Sequence, residues 1–191
     1  MAFPVCCQPD LIQFEALPVA KITDYPLEKK DYMPFAQARI CYTPSSFVVQ
    51  LWAFEVTTAP KSQLKALFAF APHQVLTLSL CRDGENFAGI TRGGQSVSFA
   101  ELGAQPPVVE LFEGEDLQGI YWGGTFTLSR DVLESIYGQD ALAVGHVIPG
   151  NLYKLCDDPA FTHQGSFFAA DFVGGKGFGP GSFGEFVIVD Y

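Results

Sequence analysis

Residues 36–56 read AQARICYTPSSFVVQLWAFEV, and this stretch decides the fold. Two apolar runs flank Thr43-Pro44-Ser45-Ser46, a turn signal with Pro at its second position. If Thr43 faces Ser46, then Cys41 faces Val48, Arg39 faces Gln50 and Gln37 faces Trp52. Side chains alternate along a strand, so Gln37, Arg39, Gln50 and Trp52 share one face. Ala38, Ile40, Tyr42, Phe47, Val49 and Leu51 make the other, a core face. The register depends on the turn, because a three-residue loop would slip the pairing by one and scatter the cluster.

Working outward, the same alternation of apolar runs and turn residues recurs along the chain. Strands are expected over residues 36–43, 47–56, 64–71, 75–82, 86–91, 108–112, 119–128, 152–157 and 186–189. One helix is expected, with Ser129 as its cap, Asp131 in its first turn, Leu133 and Ile136 on one face, and Gly138 as its end. The glycine-rich run from Val173 to Gly184 reads as a loop. Many short strands and one short helix predict an all-β fold, a two-layer antiparallel β-sandwich, as a single domain over 1–191.

Composition narrows the function. The 191 residues are 48% hydrophobic and 14% aromatic, with 18 Phe, which suits a packed core. The net charge of −10 opposes nucleic acid and anionic membranes, and the one basic pair is Lys29-Lys30. The N-terminus lacks a positive, then long apolar, secretory pattern, and no apolar run approaches a membrane helix. The five cysteines lack metal-ligand spacing, and Cys41, Cys81 and Cys156 sit in apolar stretches, as reduced thiols would. A cytoplasmic location and no cofactor or metal are the expectations. Asp83-Gly84-Glu85-Asn86 and Asp157-Asp158 read as turns rather than calcium loops.

Candidate ligand-binding residues are of two kinds. A flat ring beside planar amides and a guanidinium suits a neutral sugar, whose apolar face packs on the ring while its hydroxyls hydrogen-bond to Arg, Asn and Gln. Trp52 with Gln37, Arg39 and Gln50 supplies that set, which reads equally as a buried polar group under a second layer. Trp122, beside Gly123 and Gly124, reads as an open stacking ring or as a tightly packed strand residue. Lys154 and Glu185 are charges inside apolar strands and need partners; Lys154 or Arg39 pairing with Glu185 at a pocket mouth is the expectation. Asn151 and His163 complete the candidate set.

The run Asn151-Leu152-Tyr153-Lys154, then His163-Gln164-Gly165-Ser166-Phe167, then Phe183-Gly184-Glu185-Phe186, carries a resemblance. So do Tyr121-Trp122-Gly123 with Phe126-Thr127-Leu128, and Leu67-Phe68-Ala69-Phe70 with Leu76-Thr77-Leu78-Ser79-Leu80. In this order, over residues 30–191, they resemble the family 9 carbohydrate-binding modules and the short bacterial carbohydrate-binding domain-like proteins related to them. The resemblance implies a β-sandwich that holds sugar between aromatic rings without catalysing a reaction. Phe167 stands where many relatives carry Trp, and the glycine-rich segment replaces a polar stretch. The expected partner is a carbohydrate or sugar conjugate, and weak self-association is allowed. The alternatives are a protein-interaction sandwich without a sugar ligand and, further off, a glycoside-acting enzyme. A haem module would need axial ligands that Met1 and Met33 and three scattered histidines do not offer.

Overall fold

The turn at residues 43–46 forms as two residues, Pro44 and Ser45, and Thr43 makes it. Its Oγ1 accepts the amides of Ser45 (3.2 Å) and Ser46 (3.0 Å), while its own amide donates to the Ser46 carbonyl (2.8 Å). The register therefore holds residue for residue: Arg39 faces Gln50, Gln37 faces Trp52, and Cys41 faces Val48. The computed structural model describes residues 2–9, 11–28, 33–56, 59–83, 86–117 and 119–190. Lys29-Lys30 and Gly84-Glu85 lie outside the described residues.

The elements in chain order are β1 (Phe3–Cys7), β2 (Ala20–Ile22), β3 (Phe35–Tyr42), β4 (Ser46–Glu55), β5 (Ser62–Ala71), β6 (Gln74–Cys81), β7 (Phe87–Arg92), β8 (Gln95–Val97), β9 (Val108–Asp116), β10 (Gly119–Ser129), α1 (Arg130–Tyr137), β11 (Val147–Cys156), β12 (His163–Ser166) and β13 (Gly184–Val189). Every expected strand is present. β9 and β11 run longer than expected, the latter through Pro149 and Gly150, where it pairs with β13. Helix α1 begins at Ser129, which makes no side-chain cap bond, and ends at Gly138 with φ of 104°.

The expected pair of separate layers is replaced by one continuous, curled sheet in the order β8-β7-β6-β5-β11-β13-β1-β3-β4-β10-β9, with β12 on β11 and β2 on β3. It is also not wholly antiparallel, because β1 runs parallel to both β13 and β3 and so joins the two halves. The curl is driven by the apolar inner face. Phe47 of β4 meets Phe68 and Phe70 of β5 edge-on at 5.5 and 5.4 Å, and Phe68 meets Phe186 of β13 at 5.2 Å. Such edge-to-face contacts add to the burial of the rings themselves. All five cysteines are free, with Cys81 half-buried and Cys156 and Cys41 fully enclosed. No helix among the described residues is long and apolar enough to cross a membrane.

Phe47 is fully buried where the two halves meet. Phe47→Ala should cost about 3–5 kcal/mol in urea unfolding. A loss below ~1 kcal/mol would contradict its place in the contact.

Candidate functional site

The structure sorts the candidate residues onto two sides of the sheet. On the inner face, Glu55 follows Leu51 and Ala53 along β4, so the strand carries its carboxylate into the core. There Oε1 meets Lys154 Nζ at 2.7 Å and accepts the Ser62 hydroxyl at 2.7 Å, while Oε2 accepts Trp122 Nε1–H at 2.7 Å. Lys154 also donates to Ser62 Oγ and faces His163 Nε2 at 3.0 Å. His163 Nδ1 lies 2.8 Å from the Phe161 carbonyl and donates to it, which leaves the Nε2 lone pair for the ammonium. The expected pairing of Lys154 or Arg39 with Glu185 is thus corrected. Glu185 is exposed and sits opposite Pro149, five positions along β11 from Lys154.

Burial lowers the Lys154 pKa, and the Glu55 carboxylate opposes that shift. Burial, then the Lys154 charge, pushes the His163 pKa down to about 4. Lys154 is 0% exposed and Trp122 only 4%. A cleft of about 370 Å³ opens between Leu80, Leu111 and Trp122, with Arg82 and Glu113 bonded across its rim. The cluster is an interior clasp between the halves of the sheet, closed to a substrate.

Asn151 is a separate device. Its amide donates to the carbonyls of Phe168 (2.9 Å) and Ser182 (2.7 Å), and its Oδ1 accepts the amides of Leu152 (2.8 Å) and Phe168 (3.0 Å). The four bonds of that side chain all go to backbone, tying β11 to Phe168 and to Ser182 in the glycine-rich loop. The Tyr153 hydroxyl fixes the same loop through Gly177 (2.8 Å).

The outer face of β3, β4, β10 and β9 is where Gln37, Arg39, Gln50 and Trp52 come together. Pairing places its side chains in rows across the strands. One row is Phe35, Phe54 and Tyr121. The next is Gln37, Trp52, Gly123 and Phe112, and the third is Arg39, Gln50, Thr125 and Glu110. Phe35 and Trp52 pack edge-on at 5.5 Å, and Phe35 is 41% exposed. Two rings lie on glycines of the neighbouring strand: a Cβ at Gly114 would strike the Tyr121 ring, and one at Gly123 would stand 2.9 Å from Phe112 Cζ. Gly123 is thus a tightly packed position, where a Cβ would strike the Leu51 carbonyl before it met Phe112, and it opens no space around the buried Trp122. Arg39 Nε is buried with no hydrogen-bond partner among the described residues.

Phe35, Phe112 and Tyr121 join this outer face without having been among the candidates, although the alternation of β4 extended across β10 identifies Tyr121. Glu55 had a signal, a charge on a core face. Ser62 had none. Among the described residues no group of three His, Cys, Asp or Glu is placed to hold a metal.

No family model matches the chain, and no curated protein matches it. Solved structures do. A family 9 carbohydrate-binding module from Caldicellulosiruptor kristjanssonii, in complex with cellotriose, superposes with a TM-score of 0.64 at 8% identity, over 100% of this chain and 95% of that one. The chain has the fold of a family 9 carbohydrate-binding module. A candidate carbohydrate-binding protein from Bacteroides uniformis aligns over 98% of this chain and 99% of its own, with a TM-score of 0.64 at 14% identity. The glucose complex of a family 9 module from C. kristjanssonii gives 0.63 at 9% identity, over 100% and 97%. At these identities the likeness fixes the family 9 fold and leaves the ligand to be argued from this chain's own residues.

Two outcomes test the clasp. Glu55→Gln leaves Lys154 buried without its counter-charge and should cost about 3–5 kcal/mol, whereas Glu55→Leu with Lys154→Met should recover most of the loss. For His163, the unfolded side chain titrates near 6.5 and the folded one at about 4. Between those values the unfolded state binds more protons, so stability should fall as pH drops from about 6.5 toward 4. His163→Gln should flatten that part of the pH–Tm curve; an unchanged slope would refute the assignment.

Proposed function

We propose that this chain is a non-catalytic carbohydrate-binding module, acting as one domain, whose ligand surface is the outer face of β3, β4, β10 and β9. The single observation that carries this reading is the row arrangement: half-exposed rings beside a row of planar and hydroxyl hydrogen-bonding groups. Trp52 offers the stacking surface, and Gln37, Arg39 and Gln50 the hydroxyl partners. Trp122, Lys154, His163 and Asn151 hold the frame under and around this face, and Glu185 stands apart on β13.

The fold neighbours supply a second line of support, because solved structures of the same fold carry cellotriose and glucose. The buried acid–base groups Glu55, Lys154 and His163 are already bonded to one another in the interior. Binding therefore needs no chemical step.

Affinities of roughly 10 μM to 1 mM suit a site of this kind. In thermal unfolding with ~10 mM neutral saccharides, a ligand at 100 times its Kd should stabilise the protein by about 2.7 kcal/mol. The shift should vanish in Trp52→Ala and persist in Glu185→Gln. A shift that survives Trp52→Ala would move the site off this face.

A further inference from the structure

We propose that Cys6 and Cys41 form a disulfide site, two thiols placed to be joined by oxidation across the seam between the arms of the sheet. Parallel pairing sets Cys6 of β1 directly beside Cys41 of β3. Neighbouring strands lie about 4.8 Å apart, inside the ~4.4–6.8 Å that a disulfide spans between Cα atoms. Both side chains leave the sheet on the same side, because both pack in one small cluster with Leu17 and Val48. The cluster is built on a row across four strands, Val189, Cys6, Cys41 and Val48, with Ile12 and Phe14 packed against it. Cys7, the next residue, turns to the opposite face and packs on the main core. Cys81 and Cys156 stand on β6 and β11. The register therefore selects one pair from the five thiols.

The position gives the link a consequence. β1 joins the two arms, parallel to β13 on one side and to β3 on the other. Its pairing with β3 is two residues long, Cys6 with Cys41 and Cys7 with Tyr42, and is the shortest strand pairing among the described residues. A covalent bond there reinforces the thinnest seam of the sheet. It also closes the loop of residues 6–41 and removes conformations from the unfolded chain.

Both thiols are buried, Cys6 at 4% exposure and Cys41 at 0%. Burial raises the Cys6 pKa, and burial together with the neighbouring Cys6 and Cys7 pushes that of Cys41 up to about 12. The thiolate is the nucleophile, so the docked strand protects the pair, and the link closes while β1 is docking. With a small-molecule disulfide as oxidant, one thiolate attacks it, forms a mixed disulfide and releases one small thiol. The second thiolate then attacks the protein sulfur, forming the Cys6–Cys41 bond and expelling the second small thiol. The protein gives up two hydrogens and two electrons, and the small disulfide takes up both.

The test refolds the intact protein in a buffer of oxidised and reduced glutathione, beside a sample refolded with reductant. Titration of the quenched, denatured samples should fall from five free thiols to three, and peptide mapping should join Cys6 to Cys41. The oxidised form should melt roughly 5–15 °C above the reduced form. That rise should persist in Cys7→Ala and vanish in Cys6→Ala, where the two redox samples are compared with each other so that the lost side chain cancels. If Cys6→Ala folds poorly, the mapped link and the melting shift of the unaltered protein still decide. The same mapping on folded protein held in the glutathione buffer near its melting temperature serves where refolding is incomplete. Five thiols remaining, a link to any other cysteine, or a linked form that melts no higher than the reduced one would overturn the assignment.

Discussion

The ion pair of Lys154 with Glu55 is the constraint on which the rest of this structure depends. An ammonium and a carboxylate sealed in an apolar core are tolerated only when every donor and acceptor is met. Here Ser62, His163 and the Trp122 indole complete the set, drawing on β4, β5, β10, β11 and β12. Those strands come from both arms of the curled sheet. The pair therefore ties the two arms together at one point of the core. Such a tie has a cost: a buried pair stabilises less than an apolar replacement of the same shape could.

A closed interior dictates where binding can occur. The inner faces of both arms are occupied by Phe47, Phe68, Leu64 and Leu78 and by the clasp itself. The proposed ligand surface is therefore the outer face of the arm built from β3, β4, β10 and β9, whose rings are half-exposed. Trp52 and Trp122 stand on adjacent strands yet point to opposite sides, because Trp52 pairs with Gly123 and the alternation then sends Trp122 inward. One tryptophan is framework, and the other is the proposed stacking ring.

The hairpin register was legible because Thr43 commits the turn to two residues, and with it came the outer cluster of Gln37, Arg39, Gln50 and Trp52. The apolar strands were legible for the same reason, as was the helix between Ser129 and Gly138. The partner of Lys154 was not. Glu185 shares with Lys154 only the signal of a charge inside an apolar strand, and β11 and β13 pair from Val147 to Gly150, short of Lys154. Glu55 came instead from across the core, a contact that no local pattern encodes. The parallel placement of β1 was equally hidden, since Phe3–Cys7 carries no turn that would tie it to a neighbour. β2 and β8 are each three residues long, too short for periodicity to register.

The division of labour between the two tryptophans can be read directly by fluorescence. Two single-tryptophan proteins, Trp122→Phe and Trp52→Phe, are titrated with a neutral gluco-oligosaccharide while emission is recorded. The expected result is a saturable blue shift from Trp52 as sugar replaces water over its ring, with the emission of buried Trp122 unchanged. A saturable change from Trp122 with Trp52 silent would place the ligand in the interior cleft and contradict the outer-face site.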